Sequence, residues 1–316
     1  MLLALRCGGH LPLGWLRALA RPVGALCWIL PTRLRKVSEL NLRLCFPEVA
    51  AAARRALMRR SLLESTKTAL ELAAIWLGSP ERLENLRDGI EGEELLEQAM
   101  AAGRGTVLLS PHLGNWEYLN CVLPRRGPVH CLYRGSRVAE LDDPIRRFRE
   151  RSGIHMVPAT SMGLRPLLQA LKANQMVLIL PDQEPRKGHG VHALFFGVPA
   201  LTVTLVSRIL RRTGAVPLYV FAERRASGRF RVHFRAAPAG LADPDPERAA
   251  ASLNAGVEEC VRLLPEQYLW TYKRFKTAPP GEPTPYRAIW SKRYLKKHSV
   301  RSPVDDRRAT RTNLRS

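Results

Sequence analysis

The chain has 316 residues, 46% of them hydrophobic, so it can fill one large core or two small ones and is not a mainly disordered protein. Its 50 Lys and Arg against 28 Asp and Glu leave a formal net charge of +22, which calls for a polyanionic partner: nucleic acid or an anionic membrane face. The basic residues are spread along the chain without a zinc-finger or RNA-binding signature, which argues against nucleic acid. The six cysteines show no paired spacing and no zinc-ligand pattern with histidine, so neither metal nor cofactor is expected.

Residues 1–35 read as a membrane-associating segment. Leu11 to Pro31 is rich in Leu, Ala and Trp, yet Arg17 and Arg21 interrupt it, and the uncharged run Pro22 to Pro31 is too short for a bilayer, which needs about 20 apolar residues. Arg17 and Arg21 share a helical face, and Trp15 and Trp28 suit headgroup depth, so the segment is expected to lie in the interface or enter it at a tilt. His10, Pro12 and Arg17 break the apolar core that a secretory signal requires. Arg33, Arg35 and Lys36, then Arg54, Arg55, Arg59 and Arg60, adjoin apolar sequence, as suits a cytoplasmic leaflet.

From residue 36 to 286, short apolar runs alternate with helix-length amphipathic segments. The pattern predicts helices over Ala50–Leu77, Glu91–Ala102, Trp116–Leu123, Ala139–Arg151, Gly163–Ala173, Thr202–Arg212 and Pro246–Leu264. It predicts strands over Thr106–Leu109, His130–Tyr133, His155–Val157, Met176–Leu180, Val216–Phe221 and Phe230–Phe234. Such alternation implies an α/β fold around a mixed, largely parallel sheet, with Ser227-Gly228 turning an antiparallel hairpin. Residues 287–316 form a basic tail, expected to be solvated.

In that fold, loops beyond the carboxyl ends of strands form the site. Ser110-Pro111-His112-Leu113-Gly114-Asn115-Trp116-Glu117 follows one predicted strand, and Pro181-Asp182-Gln183 follows another. Residues five apart on a regular helix point about 140° from each other. His112 can therefore meet Glu117 only through a bend, which Gly114 can supply. Aimed by that carboxylate, a neutral His112 could take a proton from a hydroxyl nucleophile. Spacing alone equally suits a histidine at a helix start followed by a first-turn acid with no catalytic part.

His112-x4-Glu117, then Tyr133-Arg134, Arg149-Glu150-Arg151-Ser152-Gly153, Leu180-Pro181-Asp182-Gln183, Phe195-Phe196-Gly197-Val198-Pro199, and Pro265 to Trp270 with Arg274-Phe275-Lys276, together resemble the late, or secondary, lipid A biosynthesis acyltransferases. The likeness runs from about Lys36 to Tyr286, with Asn41 to Glu48 as lead-in. It implies attachment to the inner membrane at its cytoplasmic side, and a glycerolipid-acyltransferase-like fold. The partner of His112 is Glu117 where the broader glycerolipid acyltransferases carry Asp, and a Phe-Pro-Glu-Gly block is missing. Both departures favour a saccharide lipid acceptor.

By residue pattern alone Arg149 reads as part of a solvated basic helix face, and Asp182 as a turn residue. The resemblance makes both functional: Arg149 gripping a phosphate or supporting an oxyanion, Asp182 orienting Arg149 or bonding the sugar. Gly114, Asn115, Arg186 and Lys187 complete the expected substrate contacts, and Phe195-Phe196 serves either as core or as acyl channel. The implied reaction moves a fatty acyl group from acyl carrier protein to a hydroxyl of a phosphorylated glycolipid, the lipid A precursor. A coenzyme A dependent transfer to another glycolipid, such as a phosphatidylinositol mannoside, is the nearest alternative. A non-catalytic membrane or nucleic-acid adaptor belongs to a different class, and would leave the His112/Glu117 pair without a purpose.

Overall fold

The computed structural model describes residues 9, 11–133, 135, 139–159, 163–186 and 188–290. Arg134, Lys187 and most of the expected basic tail lie outside the described residues. The amino-terminal part is helical: α1 (Leu13–Ile29), α2 (Arg33–Cys45), the long α3 (Ala51–Leu77) and the short α4 (Pro80–Glu84). Then follow β1 (Arg87–Glu91), α5 (Glu93–Ala101), β2 (Thr106–Leu109), a 3-10 turn at Trp116–Tyr118 leading into α6 (Leu119–Val122), and β3 (Val129–Tyr133). Next come α7 (Ala139–Arg151), β4 (Ile154–Pro158), α8 (Leu164–Lys172) and β5 (Met176–Ile179). The chain continues through β6 (Gly190–Phe195), β7 (Val198–Val203), α9 (Leu205–Thr213), β8 (Val216–Arg224), β9 (Phe230–Ala236) and α10 (Pro246–Leu263).

Seven strands form one sheet in the order β1-β9-β8-β2-β5-β3-β4. Every pairing is parallel except β8 with β9, which confirms the largely parallel α/β sheet and the hairpin at Gly228. Strands buried on both faces read as continuous apolar runs because helices cover both sides. Their alternate residues then feed two cores. Val107, Leu109, Val177 and Ile179 belong to the one beneath α2, α8, α9 and α10. Leu108, Met176 and Leu178 belong to the other, beneath α5, α6 and α7.

Three elements differ from the sequence expectations. β1, Arg87-Asp88-Gly89-Ile90-Glu91, is a polar edge strand whose pairing shifts register between Arg87 and Ile90, so it carries no apolar alternation. Leu194 to Pro199, for which no strand was predicted, lies across the hairpin β6–β7, which turns on Phe196 (φ 49°) and Gly197 (φ 74°), two positive φ values that match the twist of a two-residue turn. As a result Thr202 and Val203 end a strand, and the helix predicted from Thr202 starts at Leu205. Phe195 and Phe196 are buried among Phe46, Trp270 and Phe275, a packing role.

α1 divides into sectors. Leu13, Leu16, Ala20 and Gly24 face α3 so closely that a Cβ on Gly24 would sit 3.1 Å from the Leu63 Cα. Trp15, Leu19, Val23, Leu26, Ile29 and Leu30 are exposed, Trp15 at 72% and Ile29 at 67%. Arg17 and Arg21 do not act together as expected. Arg21 is exposed, whereas the Arg17 guanidinium turns inward to Glu71 and the Gly228 carbonyl and lies over the Phe230 ring. Among the described residues no single helix is long and apolar enough to cross a membrane; only α1 and α2 taken together, bent by 75°, pass that test.

Candidate active site

β2 and β5 are parallel neighbours whose register pairs Thr106 with Met176, and the loops beyond their carboxyl ends keep the same offset of 70 residues, so His112 meets Asp182. The Asp182 carboxylate takes two contacts from this one residue: the His112 backbone N–H donates to Oδ2 at 2.9 Å and the ring Nδ1 lies 2.7 Å from Oδ1. Burial by itself would raise the Asp182 carboxyl. The facing imidazole and both hydrogen bonds outweigh it and hold the group below the usual carboxylate range. Nδ1 facing a carboxylate carries the ring proton, which leaves Nε2 as the acceptor. The ring remains reachable, its side chain 13% exposed, with Trp116 edge-on at 4.8 Å.

The partner of the His112 ring is therefore Asp182, not Glu117. Gly114 does bend the chain, at φ +65°, and Glu117 does enter the first turn beyond it. That turn, capped by Asn115 Oδ1 on the Tyr118 N–H, carries the Glu117 carboxylate away from the imidazole and toward α7. There it is buried against Arg149, with Nη2 at 2.5 Å and Nε at 3.3 Å, while Trp76 Nε1 and Asn120 Nδ2 donate to the same carboxylate. Arg149 is thus not on a solvated face: its side chain is 14% exposed and its guanidinium lies 5.2 Å from the Tyr133 ring. Burial would lower its pKa, but the Glu117 charge and hydrogen bond raise it instead. Arg146 and Glu150 supply the exposed face.

Gly114 and Asn115 hold the loop, with both backbone N–H groups and the Asn115 side-chain amide engaged inside the fold. The Gly114 N–H goes to the Gln267 carbonyl, the Asn115 N–H to the Ala222 carbonyl, and Asn115 Nδ2 to Glu71. A Cβ on Gly114 would stand 2.0 Å from the Ala222 oxygen, on a backbone angle other residues rarely adopt. Gly114→Ala is accordingly expected to cost at least about 2 kcal/mol, read as a lowered melting temperature together with lost activity. Arg186 is exposed in the loop before β6, and among the described residues no hydrogen bond or ion pair joins it to His112, Glu117 or Asp182. Lys187 lies outside the described residues.

Two supports hold the loop, the first from the late block that the sequence also marked and the second, an ionic cluster, not anticipated from sequence. The late block around Tyr268 clamps the loop: the Leu269 N–H donates to the His112 carbonyl, and the Gln267 side chain bonds both backbone groups of Arg224. Beneath it lies a buried ionic cluster in which Arg224 binds Glu71, Glu64 and Thr68, and Glu71 also takes Arg17 and Asn115. Burial would raise the Glu71 carboxyl, but Arg224 and Arg17 hold it below its ordinary value. The sequence signal was Glu64, Thr68 and Glu71 sharing one face of a helix at spacings of four and three.

The family profile described as Bacterial lipid A biosynthesis acyltransferase matches residues 1–277. The chain is 29% identical over 280 residues to the lipid A biosynthesis palmitoleoyltransferase of Escherichia coli (strain K12), covering 88% of this chain and 90% of that protein. It is 27% identical over 266 residues to the lauroyltransferase of the same organism (84% and 86% covered), and 25% identical over 256 residues to the myristoyltransferase (80% and 78% covered). A match of this extent, spanning the loops that bring His112 to Asp182 and Glu117 to Arg149, places the chain in the bacterial lipid A biosynthesis acyltransferase family, as an O-acyltransferase.

Proposed function

We propose that the chain moves a fatty acyl group from an acyl carrier protein thioester onto a hydroxyl of an acylated, phosphorylated glucosamine disaccharide. The contact between His112 Nδ1 and Asp182 carries this reading, because it leaves Nε2 able to accept a proton in a partly open site. The acceptor hydroxyl gives its proton to Nε2 as its oxygen attacks the thioester carbonyl. The tetrahedral intermediate then collapses with cleavage of the C–S bond, and the leaving sulfur takes the proton from the imidazolium. Asp182 stabilises that imidazolium, the part first assigned to Glu117. Glu117 fixes the Arg149 guanidinium, whose planar fork suits an acceptor phosphate or the developing oxyanion.

No serine or cysteine nucleophile is needed. The net charge of +22 favours encounter with an acidic carrier protein. Chain length is a separate matter, since the relatives above bear three different acyl names at similar identity. The purified chain given lauroyl thioesters of acyl carrier protein and of coenzyme A in parallel should add one ester-linked acyl group to a bisphosphorylated disaccharide acceptor, by mass spectrometry. Acylation of a phosphatidylinositol mannoside but not of the disaccharide would sink the reading, and preference for coenzyme A would overturn the donor.

The exposed sector of α1 supports a membrane-facing role for this helix at the cytoplasmic face of the inner membrane. Burying each such side chain is worth about 1.5–3 kcal/mol. Glu substitution together at Trp15, Leu19 and Leu26 should therefore lower binding to anionic vesicles by about a hundredfold or more while leaving the melting temperature unchanged. Undiminished vesicle binding would show that the sector is not the docking face. Deleting the whole segment is a poorer test, because it also removes Arg17 from Glu71.

A further inference from the structure

Gln183 follows Asp182 and points its side-chain amide nitrogen at His112 Nε2, 3.0 Å away. The direction of that amide is fixed by chemistry. With the ring proton on Nδ1 against Asp182, Nε2 presents a lone pair, which the amide N–H satisfies; an amide oxygen there would set two lone pairs against each other. Protonation of Nε2 would in turn place an N–H against the amide NH2. Gln183 and Asp182 thus face the two ring nitrogens with opposite hydrogen-bonding character, an amide donor at Nε2 and a carboxylate acceptor at Nδ1. The other groups around the pair are Trp116, uncharged, and on the Asp182 side Tyr268 and Arg274; burial and then the Asp182 charge keep the Tyr268 phenol protonated.

We propose that Gln183 is a positioning residue that covers the Nε2 lone pair of His112 until the acceptor hydroxyl takes the place of the amide. The covered nitrogen cannot activate water against the thioester, so the donor is preserved while the acceptor is absent. Arrival of the hydroxyl removes the amide at the moment the proton must move. This inference rests on the reading of His112 as the base.

Two variants test it. In Gln183→Glu a carboxylate would accept the Nε2 proton and favour the imidazolium. The acidic limb of the pH profile for acyl transfer should then move up by about one pH unit or more, with transfer near neutrality about tenfold lower and recovering under alkaline conditions. In Gln183→Met, similar in length but without a donor, free fatty acid released per acyl group transferred should rise severalfold. Diethyl pyrocarbonate should also modify His112 severalfold faster, measured by mass spectrometry of the His112 peptide.

An unmoved acidic limb in a folded Gln183→Glu protein would overturn the proposal. So would an unchanged hydrolysis ratio and an unchanged rate of His112 modification in Gln183→Met, which decide alone if the glutamate variant fails to fold. The modification assay needs no turnover and separates the two readings. Faster modification in Gln183→Met alongside an active His112→Ala protein would keep the covering amide and discard His112 as base.

Discussion

His112→Ala is expected to lower acyl transfer by about three orders of magnitude with little loss of fold, since the ring is partly exposed and its removal leaves the two cores intact. Asp182→Asn should do nearly as much damage by a different route. The amide would present an N–H to Nδ1, move the ring proton to Nε2, and so leave the hydroxyl facing a donor instead of a base. Because both changes disable one unit, the double variant should be scarcely slower than either single one. Turnover within about tenfold of the unmodified chain for either variant, measured with the purified protein, would remove the His112–Asp182 pair from the chemistry.

The second large effect lies at Glu117, where the structure changes the expectation drawn from sequence. As an orienting acid near an exposed ring, Glu117 could be lost without harm to the fold. As the buried partner of Arg149 it cannot: Glu117→Gln leaves the Arg149 guanidinium, beside the Tyr133 ring, without its counter-charge, and sets an amide against the Trp76 and Asn120 donors, at a cost of about 3–5 kcal/mol. In a chain of 316 residues that corresponds to a drop of roughly 5–8 °C in melting temperature. The joint Glu117→Ala and Arg149→Ala variant should recover part of the stability, since no unpaired charge remains, yet stay inactive because the guanidinium is gone. Arg149→Lys should keep the charge but lose most activity, an ammonium being unable to bridge both carboxylate oxygens and still present a planar fork. Recovery of activity in the double variant would reduce the pair to a packing role.

The difference between these expectations shows where sequence reading stops. The strands of the sheet centre, Thr106–Leu109 and Met176–Ile179, were legible because burial on both faces leaves an unbroken apolar run. The long helix over Ala51–Leu77 was legible from its length alone. The edge strand Arg87–Glu91 was hidden because half-exposed, polar residues at an irregular register leave no alternation to read. The β6–β7 hairpin was hidden because Phe196 supplies a positive φ that turn preferences assign to Gly or Asn.

At the site, the sequence by itself determined the parts. A His and an Asp each follow a buried strand, a glycine must bend the first loop, and a carboxylate occupies the turn after the bend. Those are local facts, set by backbone freedom and by which runs are apolar enough to be strands. Which groups touch was decided only by the tertiary structure. The parallel register of β2 with β5 sets His112 opposite Asp182 across 70 residues, while the turn after Gly114 sends Glu117, five residues from the histidine, to an arginine on α7 instead. Arg17 shows the same limit: its helical face was readable, but its partner Glu71 lies 54 residues on, in a cluster that exists only once α1 packs on α3. Contact between side chains follows from strand register and helix packing, and neither is encoded in spacing along the chain.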